Sequence, residues 1–395
     1  MSENIFEPLC ESIVYCSKIA YKYTSKALGI NKYDFKKFFK EVNICNKSKE
    51  CPRLHNIYDD EYYKRYRFEC PIGVDLKNFK EKGEKLANFL NTEENKIRMK
   101  QNKFYVDLII LTKDPKPKYN PEVHRVKGFK VPIGLDLEKL KIRYWDIQDS
   151  ANAHSYVAGT TRCGKSTLIR LITTMLIQKS VADIQLSLID IKKVDLIEFK
   201  NCKNTLHYTN NEEDANDILL QNAEEMKRRY LLFSKNKGIK NIWNYRDKIG
   251  KMPIRLIIIE EIAVFEKDNE FHQSLKHIAQ QGAGAGIFLL LATQLVNKDV
   301  LPNLTKQNIN TVFGGRCKDS IRSDIIIEDG ELNKLRGKGH MKVFDADAYG
   351  TEIQVLWIDD ETVEEIAIKN QKRDFRKKRA LDAGTSKTLG DNELN

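Results

Sequence analysis

The chain has 395 residues and a formal net charge of +11. That length supports two or three domains with sizeable cores, and the basic balance favours a polyanionic partner, nucleic acid ahead of an anionic membrane surface, over a merely solvated basic face. No run of about 18 uncharged apolar residues occurs, so a membrane span and a secretory leader are not expected. The eight cysteines contain no CxxC pair, which argues against a zinc ribbon or a disulfide framework and for reduced thiols. Cys45 and Cys51 with His55 lack the usual zinc-ligand spacing.

Residues 5–50 alternate apolar and charged positions at helical spacing, with Ile13, Ala20, Tyr33, Phe35, Phe38 and Phe39 among lysines, and predict two or three short helices in an N-terminal segment 1–56. Residues 57–121 predict a small α+β module. In it, Tyr66 to Cys70 alternates as a strand, Pro71-Ile72-Gly73 turns, and Leu76 to Leu90 carries Phe79, Leu86, Phe89 and Leu90 on one helical face. Lys103 to Leu111 returns as a strand, and Thr112 to Pro121, with prolines at 115, 117 and 121, is the exit linker. Val131 to Leu137 echoes Cys70 to Leu76, which reads as a coincidence of two strand–turn junctions, not a repeat.

Residues 122–362 alternate helices with apolar strands at Ile184–Ile189, Ile254–Ile259, Ile287–Ala292, Thr311–Phe313 and Glu352–Trp357. Continuous Ile/Leu runs of this kind belong to strands buried on both faces of a mostly parallel sheet, so the fold class is α/β. Residues 363–395 contain a basic run at 369–380, followed by a Gly- and Ser-containing end, and predict a basic, disordered tail.

The most informative stretch is Gly159-Thr160-Thr161-Arg162-Cys163-Gly164-Lys165-Ser166-Thr167, which fits G-x-x-x-x-G-K-[ST]. The strand-like His154 to Ala158 precedes it and the helical Leu168 to Ile177 follows, the context a P-loop requires. There, successive backbone N–H groups and the positive end of the helix dipole converge on the β- and γ-phosphates of a nucleoside triphosphate. Lys165 would neutralise phosphate charge and the Ser166 hydroxyl would ligate Mg²⁺. Ile257-Ile258-Ile259-Glu260-Glu261 ends a buried strand in two carboxylates, the Walker B arrangement, with Glu260 in the Mg²⁺ shell and Glu261 polarising the attacking water. ATP and Mg²⁺ are therefore the expected cofactors.

Over about residues 128–345 the chain resembles the FtsK/SpoIIIE family of DNA-pumping ATPases. The resemblance rests on His154 to Thr167, Leu188 to Leu196, Glu225-Met226-Lys227-Arg228-Arg229-Tyr230, Ile278 to Ile287, Leu291-Ala292-Thr293-Gln294 and Leu335 to Met341. It implies a RecA-like P-loop motor working as a homo-hexamer on double-stranded DNA. It also implies that Gln294 senses the γ-phosphate and that Arg316 reaches a neighbouring subunit's nucleotide. The module at 57–112 looks like the segment preceding the motor in FtsK-like proteins of Gram-positive conjugative and mobile elements.

Three features depart from the family pattern. Glu260 stands where Asp is usual, Arg162-Cys163 replaces Gly-Ser, and neither a membrane-spanning N-terminus nor room for a winged-helix reader after residue 360 is seen, so septal chromosome segregation is not expected. The expected function is an ATP-driven DNA translocase in the cytoplasm, serving a conjugative or mobile element and recruited by a membrane-anchored or relaxase partner. The alternatives are a protein-secretion ATPase of the same family and a non-hydrolysing nucleotide-binding adaptor. The basic and polar segment Lys298 to Asn310 is the candidate pore loop.

Overall fold

The computed structural model describes residues 33–372 apart from 60–61, 114, 140, 150–151, 295–299, 301–302, 328–329 and 346–347. The chain divides into two units, Met1–Pro115 and Lys116–Asn395. That division falls before the expected boundary at 121, because Pro117 and Tyr119 already hydrogen-bond to Trp357 in a bridge across Lys118.

In the first unit, strands β1 (Arg53–Asp59), β2 (Tyr63–Glu69), β3 (Ile97–Asn102) and β4 (Tyr105–Leu111) form an antiparallel sheet in the order β1-β2-β4-β3. Residues 33–56 are not a separate helical segment. The helix Phe35–Glu41, capped by the Asp34 carboxylate on the Lys37 amide, buries Phe35, Phe38 and Phe39 against Phe68, Phe79 and Leu86. Aromatic packing continues to Phe89, whose ring stacks on Phe38 at 4.2 Å between centroids. The expected helix over 76–90 is two helices, Leu76–Lys80 and Gly83–Phe89, the first closed by a capping box between Asp75 and Asn78. β1 and β3 were missed because their half-buried, charge-rich sequences lack a clear apolar alternation. Cys45 and Cys51 form a disulfide, contrary to the expectation of reduced thiols: the tight loop between the first helix and β1 brings their Cα atoms within 4.2 Å. The earlier positions of the helical reading, 1–32, lie outside the described residues.

The second unit is built on a ten-stranded sheet. Its strands are β5 (Lys130–Asp136), β6 (Ile142–Asp146), β7 (Ser155–Ala158), β8 (Ile184–Ile189), β9 (Thr205–Thr209), β10 (Ile254–Ile259), β11 (Ile287–Thr293), β12 (Thr311–Gly314), β13 (His340–Asp345) and β14 (Ala348–Val355). The order is β6-β5-β14-β13-β12-β7-β11-β10-β8-β9. The run from β12 to β9 is parallel, and the hairpins β13–β14 and β5–β6 extend it antiparallel. Val131 to Asp136 thus lies inside β5, whereas its echo at 71–75 turns into a helix, so the two segments share no structure.

The apolar runs do what strands buried on two faces must. Leu256 and Ile258 of β10, with Phe288 and Leu290 of β11, enter one core with the helix Lys165–Leu176. The alternate residues Ile257, Ile259, Leu289 and Leu291 enter a second core with the helices Glu212–Ser234 and Asn269–Ala285. Glu225 to Tyr230 locks those two helices together. The fully buried Arg229 pairs with Glu225 at 2.7 Å and donates to the Ala285 carbonyl, while Tyr230 donates to the Gln281 carbonyl. The expected tail is ordered further than position 363: the helix Asp360–Lys369 sinks Val363, Ile366 and Ala367 into the first core. Residues 373–395, with most of the basic run, lie outside the described residues. No described helix is long and apolar enough to cross a membrane.

Candidate nucleotide site

β7 ends at Ala158, the loop Gly159–Gly164 follows, and the helix begins at Lys165, so the phosphate loop opens at the carboxyl edge of the parallel strands. Gly164 has φ +107°, and a Cβ there would sit 2.5 Å from the Gly339 amide nitrogen, so both backbone shape and packing demand glycine. Arg162 takes φ +65° without being glycine. A side chain there costs roughly 1 kcal/mol, and Arg162 lines the cleft. Cys163 is buried against Gly159 and Gly315, and burial pushes its thiol pKa up, so it packs and does not react.

A second loop braces the first. Lys338 and Gly339 donate their amides to the carbonyls of Arg162 and Cys163 at 3.1 and 2.7 Å. On the other side, Thr160 donates its amide and its hydroxyl to the Arg316 carbonyl, both at 2.9 Å. It is therefore the backbone of Arg316 that touches the P-loop, and its side chain is exposed.

Lys165 is 7% exposed and folds back over the loop, donating to the Gly159 carbonyl at 2.7 Å. Burial lowers its pKa, opposed by the charges of Glu261 and Glu260. Ser166 donates its hydroxyl to Asp195 Oδ2 at 2.6 Å. Asp195 belongs to a turn after β8, in which Asp190 accepts from the amides of Val194 and Leu196 and Lys193 takes φ +61°. The same turn points Lys192 at the two carboxylates that follow β10, 3.1 Å from Glu260 Oε1 and 3.0 Å from Glu261 Oε2. Burial works against the Lys192 charge, but the two carboxylates outweigh it and raise its pKa. Glu261 also accepts from the Gln294 amide at 3.1 Å, and the Gln294 side chain accepts from Thr161 at 3.0 Å. Gln294, Glu261, Thr161, Lys165, Ser166 and Glu260 are thereby one connected site.

The donor set suits Mg²⁺. Glu260 is 4% exposed and its Oε2 receives no hydrogen bond among the described residues. Burial raises its pKa to about 7, with Lys192 opposing and the neighbouring Asp195 carboxylate adding to the rise. A cation beside Ser166 and this orphaned oxygen would relieve both effects. Protein ligands alone do not form a cluster of acids and histidines able to hold a metal among the described residues. That is the usual condition of Mg²⁺, which takes one or two carboxylates and fills its shell with phosphate oxygens and water.

Between these groups and β14 lies a cleft of about 560 Å³, lined by Thr161, Arg162, Gly164 to Thr167, Gln294, Lys338, Gln354 and Trp357 among others. Lys192 and Asp195 lie within Leu188 to Leu196, a stretch that carries the family resemblance, but nothing local in it points to these pairings. Lys338 had the same signal, and Trp357 had none. Of the candidate pore segment, residues 298–299 and 301–302 lie outside the described residues; Asn303–Lys306 is a short helix and Ile309 is buried.

Residues 118–264 match the model of the FtsK/SpoIIIE family. The DNA translocase FtsK of Staphylococcus epidermidis is 30% identical over 278 residues, 66% of this chain and 34% of the relative. That of Listeria monocytogenes is 30% identical over 241 residues, 56% of this chain and 32% of the relative. The chain therefore spans about a third of the length of these curated relatives. In fold it is similar to the pCW3 conjugation coupling protein TcpA in its monomer form with ATPγS, at a TM-score of 0.59 and 19% identity over 84% of this chain and 97% of that one. It is also similar to ATPases 2 and 3 of EssC from Geobacillus thermodenitrificans, at a TM-score of 0.57 and 18% identity over 65% of this chain and 51% of that one. Residues 118–264, which hold the P-loop and the paired-acid strand, therefore carry an FtsK/SpoIIIE-type P-loop ATPase domain.

Proposed function

We propose that this chain hydrolyses ATP to move DNA, as a cytoplasmic homo-hexamer serving transfer or maintenance of a conjugative or mobile element through a membrane-anchored or relaxase partner. The observation that carries the reading is the constellation of Lys165, Ser166, Glu260, Glu261 and Gln294, of which Lys165, Ser166 and Gln294 line one cleft. The DNA translocases among the relatives and the charge of +11 support DNA as the polymer. The fold shared with a conjugation coupling protein supports the setting.

In this reading Lys165 leaves the Gly159 carbonyl to neutralise phosphate charge, and the loop amides cradle the same oxygens. Ser166 and Glu260 would hold Mg²⁺, which when bound offsets charge on the phosphate oxygens. Glu261 takes the proton of the attacking water at a carboxylate oxygen, and Gln294, tied to Glu261 through its backbone and to Thr161 through its side chain, reports the state of the γ-phosphate to the end of β11. Phosphate contacts suffice to grip the DNA and carry little sequence information.

A second reading, export of polypeptide, is favoured by the fold shared with EssC. ATP turnover measured with and without double-stranded DNA separates the two. Stimulation by DNA, absent in Lys165→Ala and in Glu261→Gln, supports the translocase; turnover indifferent to DNA supports export; and no turnover under either condition makes the chain a nucleotide-binding adaptor.

A further inference from the structure

Leu356 and Ile358 are buried in the core, yet Trp357 between them is 50% exposed. Burying an indole is among the larger apolar gains open to a fold, so a tryptophan left at the surface invites a reason. The other two tryptophans are less open: Trp145 is fully buried, and the partly buried Trp243 packs against Phe129 and Phe288. Trp357 instead lines the same cleft as the P-loop and the first turn of its helix.

Its backbone is fixed more tightly than its exposure suggests. The Trp357 amide donates to the Pro117 carbonyl and its carbonyl accepts from the Tyr119 amide, both at 2.7 Å, in a parallel bridge across Lys118. The Lys118 ammonium lies 5.4 Å from the indole centroid and is itself held by Asp359 at 2.7 Å. A pinned aromatic, half open to water and lining one cleft of about 560 Å³ with a phosphate loop, has the form of a stacking platform. The nearby Gln354 cannot read base edges freely, because its amide nitrogen donates to the Lys338 carbonyl at 2.8 Å and its oxygen faces Arg336.

We propose that Trp357 is the platform on which the nucleobase stacks while the triphosphate occupies the P-loop. This rests on the nucleotide-binding reading above and adds the half of the ligand which that reading leaves unplaced. Every base has a π-face, so a platform of this kind binds purines with little discrimination.

The test compares ATP with inorganic tripolyphosphate, which carries the phosphates and lacks the base, in the full chain by calorimetry. Wild type should bind ATP more tightly than tripolyphosphate. Trp357→Ala should weaken ATP by roughly 10- to 100-fold, the range expected for one base–aromatic stack, and leave tripolyphosphate unchanged. Trp357→Phe should recover most of the loss. Equal loss of both ligands in Trp357→Ala, or no loss of ATP, overturns the platform while leaving the P-loop assignment standing. Failure of wild type to bind either ligand overturns both readings.

Discussion

Ser166 donates its hydroxyl to Asp195 across 2.6 Å, so a carboxylate from the turn after β8 reaches the residue expected to ligate Mg²⁺. Asp195→Asn should weaken nucleotide binding about tenfold in the presence of Mg²⁺, the loss of one charge-assisted hydrogen bond. Binding in EDTA should be unchanged, because the loop amides and Lys165 are untouched. Calorimetry in the two buffers checks this; equal weakening in both would mean that Asp195 shapes the loop itself.

Lys192 is the cation beside Glu260 and Glu261, both of which are buried. Lys192→Ala should cost about 1–3 kcal/mol of unfolding free energy, below the full value for a broken buried pair because Lys192 is itself partly exposed. Adding Glu260→Gln to that variant should restore part of the loss by removing one of the stranded charges. Urea titration of the three proteins measures both effects.

His154, 2% exposed, accepts the Leu289 amide at Nδ1, and burial lowers its pKa from 6.5 to about 4. Between those values the unfolded chain binds a proton that the folded chain refuses, so stability rises with pH across this window. Its contribution is complete above pH 6.5 and is lost as pH falls through 4, by up to about 3 kcal/mol. His154→Gln keeps an acceptor for Leu289 without a titrating ring. Unfolding free energies at pH 7, 5.5 and 4 should therefore fall less steeply for the variant than for wild type.

Arg316 keeps its backbone on Thr160 and its side chain exposed, which suits a group offered to a neighbouring copy. Turnover should rise more than linearly with protein concentration as rings assemble. Inactive Arg316→Ala and Lys165→Ala proteins should regain part of the activity when mixed, because a Lys165→Ala protomer can lend its arginine to an intact P-loop. An arginine acting in trans can be worth about 10³–10⁵ in rate. Mixed assemblies with no activity would return Arg316 to a structural role, with Arg322 and Arg336 next to test.

The P-loop was legible because its chemistry is local: Gly159, Gly164, Lys165 and Ser166 are neighbours in the chain, and a helix start orients them without distant help. The central strands were legible for a related reason, since an uninterrupted run such as Ile254–Ile259 can be satisfied only by cover on both faces. The strands β1 and β3 gave no such signal, and the disulfide between Cys45 and Cys51 depends on how a loop closes. Within the site, the pairing of acids with their partners was decided entirely by tertiary structure. Lys192 meets Glu260 across 68 positions and Asp195 meets Ser166 across 29, because β8 lies beside β10 and its following turn overhangs the P-loop edge of the sheet. Trp357 reaches the cleft only because β14 and the bridge to Lys118 bring its end of the chain around to the cleft that the P-loop lines. Residue types and their spacing determined which groups could do the chemistry; the order of strands in the sheet determined which of them stand together, since that order is set by long-range packing that no local pattern encodes.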